Sequence, residues 1–307
     1  MGRVDFGGRV SVAVDGGRGW VPVGDMGLGM YEENLLGLLR DWERLKGRIR
    51  RGVERAKARQ GKALIPFKPL SFRDFMLWER HYIQAKLGLL RTFRPHLHRI
   101  ARFLPERFLK PPKMFYTHPV YYVGNHLQIY TDGDAVPYPS YTRYLDYEFE
   151  LGLVMVGEGR NLTPEEAEKL IGGVVLLNDF TARDMQVREF YESPFGPVVK
   201  AKNFATSISN FVIPYSEVRE RFTSLKVRVL IDGEVVSESD TSGPQHMPGD
   251  MVAYASLEEN LYPGEMMGTG TVPNSCGVEV GRFLKVGQTI TLELVGYGTL
   301  SNRIRQP

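Results

Sequence analysis

Apolar and polar residues alternate along the start of the chain and along much of its second half. Residues 9–23 alternate on either side of Asp15-Gly16-Gly17, and this pattern predicts a β-hairpin because glycine tolerates the positive φ of a tight turn. Residues 224–239 predict a second hairpin, with Asp232-Gly233 at its turn. From Phe115 onward the chain is predicted to consist mostly of strands and turns.

A helical period replaces the alternation between residues 31 and 60. Leucines, together with Trp42 and Ile49, recur there at three- and four-residue spacing, which predicts one or two helices. Ser71 is a candidate N-cap for a further helix over Phe72–Leu90.

A shorter helix is predicted to begin at Thr163, because Pro164 follows at the first helical position and Glu166 at the third. This helix leads into an apolar run, Val174–Leu177, that predicts a buried strand.

The predicted elements form a β-rich α/β protein in two parts. Pro66 and Pro69 interrupt the pattern and mark a boundary. Residues 1–65 are expected to form a small module of a hairpin and helices, and residues 66–307 a larger β-rich domain. The 33 glycines and 19 prolines favour such a turn-rich fold over a helix bundle.

The composition is that of a soluble globular protein, since 42% of the 307 residues are hydrophobic and 24% are charged. Cys276 is the single cysteine, which excludes an internal disulfide and a cysteine-based zinc site and predicts a reducing compartment, the cytoplasm. The first residues lack the apolar core of a signal peptide, and no stretch is long and apolar enough to cross a bilayer. We therefore expect no membrane partner.

The charges are unevenly distributed, although 39 basic and 36 acidic residues leave a formal net charge of only +3. Residues 1–118 contain 24 basic and 11 acidic residues, whereas residues 119–307 contain 15 basic and 25 acidic residues. A basic segment can bind nucleic acid, but no aromatic platform is interleaved with Arg44, Arg48 and Arg51, as a single-strand binder needs. We expect a solvent-exposed helix face there and no nucleic-acid partner.

Carboxylates lie on one predicted strand and at the end of another. Glu148 and Glu150 project from the same strand face, and either solvent or a divalent cation relieves their repulsion. Asp179 comes at the end of a buried strand, where it must pair either with Arg183 or with a cation. Three carboxylates with no nearby histidine or cysteine suit Mg²⁺, Mn²⁺ or Ca²⁺ rather than zinc.

Four segments of the chain resemble the fumarylacetoacetate hydrolase family. They are Asp146–Gly152, Leu177–Gln186, Gly196–Phe204 and Gly268–Val272. The resemblance spans residues 66–307 and implies a roll of mixed β-sheets with a divalent metal at its open end. It implies Mg²⁺, or else Ca²⁺ or Mn²⁺, as the cofactor, and a homodimer as the assembly.

The resemblance also assigns roles to eleven residues. An Asp-Phe pair at Asp74, with His81 seven residues later, has the spacing of the family's metal-binding aspartate and general base. The implied metal ligands are Asp74, Glu148, Glu150 and Asp179. The implied catalytic residues are the base His81, Glu279 that orients it, and Lys202 and Gln186 that stabilise the oxyanion. The implied substrate-binding residues are Arg183, Tyr122 and Thr271.

Alternatives stay open at several of these positions. His81 is either catalytic or structural, and His126 is a second candidate for the site. Lys200 competes with Lys202. Arg183 either binds a substrate carboxylate or braces Asp179.

The resemblance implies hydrolysis of a carbon–carbon bond in a 1,3-diketo acid, with fumarylacetoacetate giving fumarate and acetoacetate in the breakdown of tyrosine and other aromatic amino acids. Water activated by His81 would attack one carbonyl, and the metal would stabilise the departing enolate. The second hypothesis is a 2-oxo acid decarboxylase, hydratase, isomerase or acylpyruvate hydrolase on the same scaffold. Met76 and Phe190 keep it open, because they stand where the family's eukaryotic hydrolase has tyrosines.

Overall fold

The computed structural model describes the whole chain, residues 1–307. Its strands are β1 (Gly2–Asp5), β2 (Val10–Asp15), β3 (Trp20–Pro22), β4 (Lys62–Leu64), β5 (Phe72–Phe75), β6 (Tyr121–Val123), β7 (Ile129–Thr131), β8 (Ala135–Pro137), β9 (Leu145–Asp146), β10 (Phe149–Met155), β11 (Ile171–Asp179), β12 (Thr181–Ala182), β13 (Thr206–Ile208), β14 (Ile213–Pro214), β15 (Lys226–Ile231), β16 (Glu234–Asp240), β17 (Met266–Gly268), β18 (Thr289–Leu294) and β19 (Gly298–Arg305).

The α-helices are α1 (Leu35–Arg40), α2 (Trp42–Arg55), α3 (Glu79–Phe93), α4 (Pro95–Ala101), α5 (Met114–Thr117), α6 (Pro164–Glu168), α7 (Arg183–Glu192), α8 (Pro248–Ala255) and α9 (Gly277–Val280). Short 3₁₀-helices lie at Val23–Met26, Gly29–Tyr31, Glu106–Phe108, Tyr215–Glu217 and Arg219–Arg221. None of the helices combines the length and the hydropathy that a membrane span requires.

The strands form two large sheets, a smaller N-terminal sheet and a two-stranded ribbon. The central sheet has the order β6-β5-β17-β10-β11-β13-β7, and β14 also pairs with β11. Strands β5 and β17 are parallel, as are β7 and β13, and the other pairs in this sheet are antiparallel. The second large sheet has the order β16-β15-β18-β19-β8, the N-terminal sheet β3-β2-β1-β4, and the ribbon β12-β9. The predicted strand-rich α/β class is confirmed.

Both faces of the central sheet are buried, which explains the continuous apolar run on β11. Val174 and Leu176 belong to the hydrophobic core shared with the five-stranded sheet. Val175 and Leu177, which alternate with them along the strand, belong to the core on the opposite side. A strand covered on both faces has no solvent side on which polar residues are needed.

Both predicted hairpins are confirmed. Strands β2 and β3 pair antiparallel, and Gly17 lies in their turn with a φ of 76° while its N–H donates to the Asp15 carboxylate at 2.8 Å. Asp232 and Gly233 join β15 to β16, and their φ values of 54° and 84° are those of a two-residue hairpin turn.

The helix predicted over Phe72–Leu90 is wrong at its start. Phe72–Phe75 form β5, and α3 begins only at Glu79. The backbone of β5 pairs with β17 on one side and β6 on the other, and this pairing outweighs the local helical pattern. As a result Asp74 lies on a strand and His81 in the first turn of the following helix.

The other predicted helices are found. Helices α1 and α2 lie within residues 31–60, and α6 begins with the expected capping box of Thr163 and Glu166.

The N-terminal residues share one hydrophobic core with the central sheet. Leu38 of α1 and Ile49 of α2 lie in the same buried cluster as Val175 and Leu177 of β11. The residues before 66 have their own four-stranded sheet, yet their helices are buried against the rest of the chain. The division into a module of residues 1–65 and a domain of residues 66–307 remains a proposal.

We expect Leu38→Ala to lower the free energy of unfolding of the whole chain by about 2–5 kcal/mol, because Leu38 is fully buried in the shared core. Differential scanning calorimetry should show one transition that moves as a unit. Arg40→Ala is the matched control on the same helix; its side chain is exposed, so the expected change is below about 0.5 kcal/mol. A separate early transition for the N-terminal residues would contradict the shared core.

Candidate active site

Three strands of the central sheet bring three carboxylates to one edge. Asp74 lies on β5, Glu150 near the start of β10, and Asp179 is the last residue of β11. Strand β10 runs antiparallel to β11, and β17 connects β10 to β5. The side chains therefore meet although they are far apart along the chain.

Gly268 of β17 makes room between two of these carboxylates. It pairs in register with Asp74 on one side and with Gly152 of β10 on the other. A Cβ atom at position 268 would lie 2.3 Å from Oδ1 of Asp74 and 2.9 Å from Oε2 of Glu150. Any other residue would push the two carboxylates apart.

The three carboxylates form a compact buried cluster. One oxygen from each of Asp74, Glu150 and Asp179 lies within 4.8 Å of the others. Oδ1 of Asp74 and Oδ1 of Asp179 are buried without a hydrogen-bond partner. Burial and the negative charge of Asp179 raise the pKa of Asp74 to about 8, and burial and the charge of Asp74 raise the pKa of Glu150 well above its usual value. Neither Asp74 nor Glu150 pairs with a positively charged side chain, whereas Asp179 pairs with Lys202.

Glu148 lies beside this cluster and is already paired. Its carboxylate accepts hydrogen bonds from Nη2 of Arg183 at 2.5 Å and from Nζ of Lys202, which also donates to Asp179 at 2.5 Å. Although burial opposes its charge, Arg183 and Lys202 hold the pKa of Glu148 below the usual value. Burial likewise opposes the charge of Lys202, but Asp179 and Glu148 raise its pKa, so the ammonium stays protonated.

The residues present fit a divalent cation. Asp74, Glu150 and Asp179 offer only carboxylate oxygens, two of them buried and unpartnered. Hard cations such as Mg²⁺, Mn²⁺ and Ca²⁺ select such ligands. The predicted set of four ligands remains a proposal, and its fourth member, Glu148, would have to exchange a contact with Arg183 or Lys202 for the cation.

His81 lines the cavity that Asp74 and Glu150 also line, and Glu279 lies directly behind it. Nδ1 of His81 is 3.1 Å from Oε1 of Glu279, and the two side chains are only 6% and 1% exposed. Sγ of Cys276 donates to the other carboxylate oxygen of Glu279 at 3.2 Å. Both oxygens of the Glu279 carboxylate therefore have a partner. No pattern in the sequence indicated the contact with Cys276.

Close packing of α3 on α9 creates the pair. A Cβ atom at Gly88 of α3 would lie 2.1 Å from the main-chain oxygen of Val278, so only glycine permits this approach. Arg91 of α3 donates to the carbonyls of Val278 and Glu279, each at 3.0 Å. These contacts fix the position of Glu279 relative to His81.

Asp146 orders two parts of the site, and the sequence analysis gave it no role. Its buried carboxylate accepts hydrogen bonds from Nε of Arg183 at 2.7 Å and from the main-chain N–H groups of Gly277 and Val278 at 2.5 and 2.9 Å. One side chain thus holds both Arg183 and the start of the helix that carries Glu279. In the sequence, this role is indicated only by the position of Asp146 at the start of the acidic segment Asp146–Glu150.

One cavity of about 480 Å³ brings most of the predicted residues together. Nine of the eleven line it: Asp74, His81, Tyr122, Glu148, Glu150, Arg183, Gln186, Lys202 and Thr271. The other two lie directly behind this wall, since Asp179 contacts Lys202 and Glu279 contacts His81.

Two of the open alternatives concern which lysine and which histidine lie in the site. Lys202 is buried against the carboxylates, whereas Lys200 is exposed. His81 lines the cavity and His126 does not.

Arg183 and Tyr122 both contact other site residues. Arg183 pairs with Glu148 and donates to Oε1 of Gln186 at 2.8 Å, and it makes no bond to Asp179. The interpretation that Arg183 braces Asp179 is therefore wrong. The hydroxyl of Tyr122 donates to Asp179 instead, at 2.8 Å. Substrate binding by Arg183, Tyr122 and Thr271 remains a proposal.

Comparison with known proteins identifies one family model that matches most of the chain. Its description is fumarylacetoacetate (FAA) hydrolase C-terminal, and it matches residues 90–305. An uncharacterized protein of Methanocaldococcus jannaschii is 27% identical over 194 residues, which cover 61% of this chain and 73% of that protein. The mitochondrial oxaloacetate tautomerase Fahd2a of Rattus norvegicus is 25% identical over 185 residues, 56% of this chain and 54% of that protein. The chain therefore spans about half the length of that tautomerase.

Two solved structures are similar in fold. A putative HpcE protein from Mycobacterium smegmatis has a TM-score of 0.70 and 22% identity, and the match covers 100% of this chain and 99% of that chain. Fumarylpyruvate hydrolase from Pseudomonas aeruginosa, in complex with Mn²⁺ and pyruvate, has a TM-score of 0.56 and 22% identity over 80% of this chain and 100% of that chain.

The raised pKa of Asp74 predicts a pH-dependent stability for the metal-free protein. A carboxyl that is protonated in the folded chain but ionised in the unfolded chain contributes stability below its unfolded pKa, and this stability is lost as the pH rises toward about 8. We expect the free energy of unfolding, measured in urea with a chelator, to fall by about 1–4 kcal/mol between roughly pH 5 and pH 8.

Asp74→Asn should reduce this dependence on pH, because asparagine does not titrate. Asp232→Asn, in an exposed hairpin turn, is the matched control and should leave the dependence unchanged. An undiminished dependence in Asp74→Asn would contradict the assignment of the raised pKa to this carboxyl.

Proposed function

Because this chain belongs to the fumarylacetoacetate hydrolase family, we propose that it is an enzyme that uses a divalent cation to hydrolyse a carbon–carbon bond in a 1,3-diketo acid. One observation carries the proposal. His81 lines the cavity that Asp74 and Glu150 also line, and the buried Glu279 contacts it from behind. A base beside a cation site is the arrangement that water attack on a carbonyl requires.

His81 is the proposed general base. In the neutral tautomer that carries its proton on Nδ1, His81 donates to Oε1 of Glu279, and the lone pair of Nε2 is then free to take a proton from water. Glu279 also stabilises the imidazolium that forms. Cys276 and Arg91 keep this carboxylate and its helix in place.

Lys202 and Gln186 are the proposed donors to the tetrahedral oxyanion. Two of the three N–H groups of Lys202 bond to Glu148 and Asp179, so the third remains for a ligand in the cavity. Gln186 accepts from Arg183 through Oε1, which leaves its amide nitrogen to donate. Both side chains line the cavity and are preorganised by these bonds.

The carboxylates of Asp74, Glu150 and Asp179, with Glu148 as the proposed fourth ligand, would hold the cation. When bound, a cation such as Mg²⁺, Mn²⁺ or Ca²⁺ supplies electrostatic stabilisation for the negative charge that develops on the departing enolate.

A second candidate function is isomerisation of a 2-oxo acid. The observation that favours it is the similarity to the rat oxaloacetate tautomerase. Tautomerisation needs proton transfer next to a carbonyl but no attacking water. The decarboxylase, hydratase and acylpyruvate hydrolase alternatives require the same 2-oxo acid head group.

The assays that separate these functions use fumarylacetoacetate, an acylpyruvate and oxaloacetate with Mg²⁺ or Mn²⁺. We expect cleavage of a 1,3-diketo acid, and His81→Gln should lower kcat/KM by about 10²–10⁴-fold while cation binding persists. His126→Gln is the matched control outside the cavity and should retain full activity.

Tautomerisation of oxaloacetate without cleavage of any diketo acid would contradict the proposed hydrolysis and favour the second candidate. Turnover of fumarylacetoacetate itself would support the implied role in aromatic amino-acid breakdown. The implied homodimer is a separate proposal, which light scattering tests.

A further inference from the structure

The cavity extends well beyond the carboxylates, into a long apolar arm. Its volume of about 480 Å³ lies within the range of roughly 300–1,000 Å³ that suits drug-sized ligands. Hydrophobic residues make up 14 of its 26 lining residues, although the charged cluster occupies one end. A short polar substrate would fill only the charged end.

Helix α3 forms one side of the arm. His81, Ala85, Leu89 and Phe93 follow each other at four-residue spacing, and all four line the cavity. The helix rises 1.5 Å per residue, so the arm runs about 18 Å from His81 to Phe93. The polar group lies at the N-terminal end of this face and the apolar groups follow it.

Helix α7 forms the other side of the arm, and along it polar lining residues are likewise followed by apolar ones. Arg183 and Gln186 line the charged end of the cavity, and Val187, Phe190 and Tyr191 follow them on the same helix face. Phe190 and Tyr191 are 67% and 70% exposed, so a ligand in the arm would cover apolar surface that water now contacts. The two helices pack next to each other.

Beyond the charged end, the charged residues that line the cavity are Lys86 and Arg94. Met76 and Phe190 line the cavity at the positions where the family resemblance would have placed tyrosines. Lys86 lies five residues after His81 on α3 and Arg94 directly follows this helix, and each donates one N–H to a main-chain carbonyl, of Phe108 at 3.3 Å and of Phe93 at 3.2 Å.

Building on the proposed function, we infer that the substrate is a 2-oxo or 1,3-diketo acid whose far end is a long apolar chain. The oxo-acid head lies at the carboxylate cluster, and the chain lies between α3 and α7. This chain takes the place of the short fumaryl group as the substituent that the site selects.

The direct test is calorimetric titration of the Mn²⁺-loaded protein with straight-chain 2-oxo acids of increasing length, from pyruvate upward. Each methylene that enters the arm should tighten binding about fourfold, until the chain reaches the end of α3 near Phe93. A 2-oxo dicarboxylic acid of equal length should bind more weakly than the corresponding monocarboxylic acid, because its second carboxylate would have to leave water for the apolar part of the arm. Affinity that is independent of chain length, or tighter binding of the dicarboxylic acid, would overturn the inference.

Ala85→Phe tests the location of the arm. The added ring projects into the arm between the charged end and Leu89, so the gain in affinity per methylene should disappear. Leu89→Asp provides a second variant that places a charge in the arm without adding bulk. Thr92→Phe is the matched control on α3, off the cavity wall, and should retain the full gain. An unchanged gain in both arm variants, with folding verified by circular dichroism, would place the chain elsewhere and refute the inference.

The outcomes separate this inference from the proposed reaction. If affinity rises with chain length but no diketo acid is cleaved, the apolar subsite stands and the proposed hydrolysis is wrong. If diketo acids are cleaved but affinity is independent of chain length, the hydrolysis stands and the inference is wrong. Absence of binding by every 2-oxo acid at millimolar concentration would overturn the inference, whereas the proposed hydrolysis is decided by the diketo-acid assay alone.

Discussion

Three buried carboxylates share one edge of the central sheet, and their mutual repulsion is the constraint on which the rest of the site depends. Asp74, Glu150 and Asp179 have almost no solvent-exposed surface, so their charge has to be balanced by protons or by cations. The raised pKa values of Asp74 and Glu150 show the first solution in the metal-free chain. Lys202 shows the second, because its ammonium bonds to Asp179 and to the neighbouring Glu148. A divalent cation would balance the same negative charge. It would displace the protons of the carboxyls, and the unpartnered oxygens of Asp74 and Asp179 would bind it.

The same edge of the sheet organises the remaining parts of the cavity. Asp146 holds Arg183 and the start of α9, and α9 carries the glutamate that holds His81. Helices α3 and α7 each begin at this charged end and continue away from it with apolar residues. The fold thus produces one cavity with two chemical environments, a charged end where we propose the oxo-acid head group and a mostly apolar arm where we propose the chain.

Local patterns in the sequence were sufficient for those features that depend on neighbouring residues. The turn residues Asp232 and Gly233 predicted a hairpin, and the apolar run before Asp179 predicted a buried strand that ends in a carboxylate. The local pattern at Phe72–Phe75 predicted a helix. These residues form a strand instead, because they pair with β17 and β6, which lie far away in the chain. The roles of Asp146 and Cys276, and the close approaches at Gly88 and Gly268, depend on contacts between distant segments that no local pattern encodes. The apolar arm was missed for the same reason, since its two walls lie about a hundred residues apart in sequence.

Binding of a divalent cation tests the central claim most directly. The measurement is calorimetric titration of the chelator-treated protein with Mn²⁺, for the wild type, for Glu150→Gln and for Asp132→Asn as a matched control outside the cluster. We expect one Mn²⁺ per wild-type chain, with release of protons from the carboxylates because their raised pKa values keep them protonated beforehand. Asp132→Asn should bind Mn²⁺ like the wild type, and Glu150→Gln should lose most of the affinity. A wild type that binds no Mn²⁺, or a Glu150→Gln variant that binds it unchanged, would contradict the account.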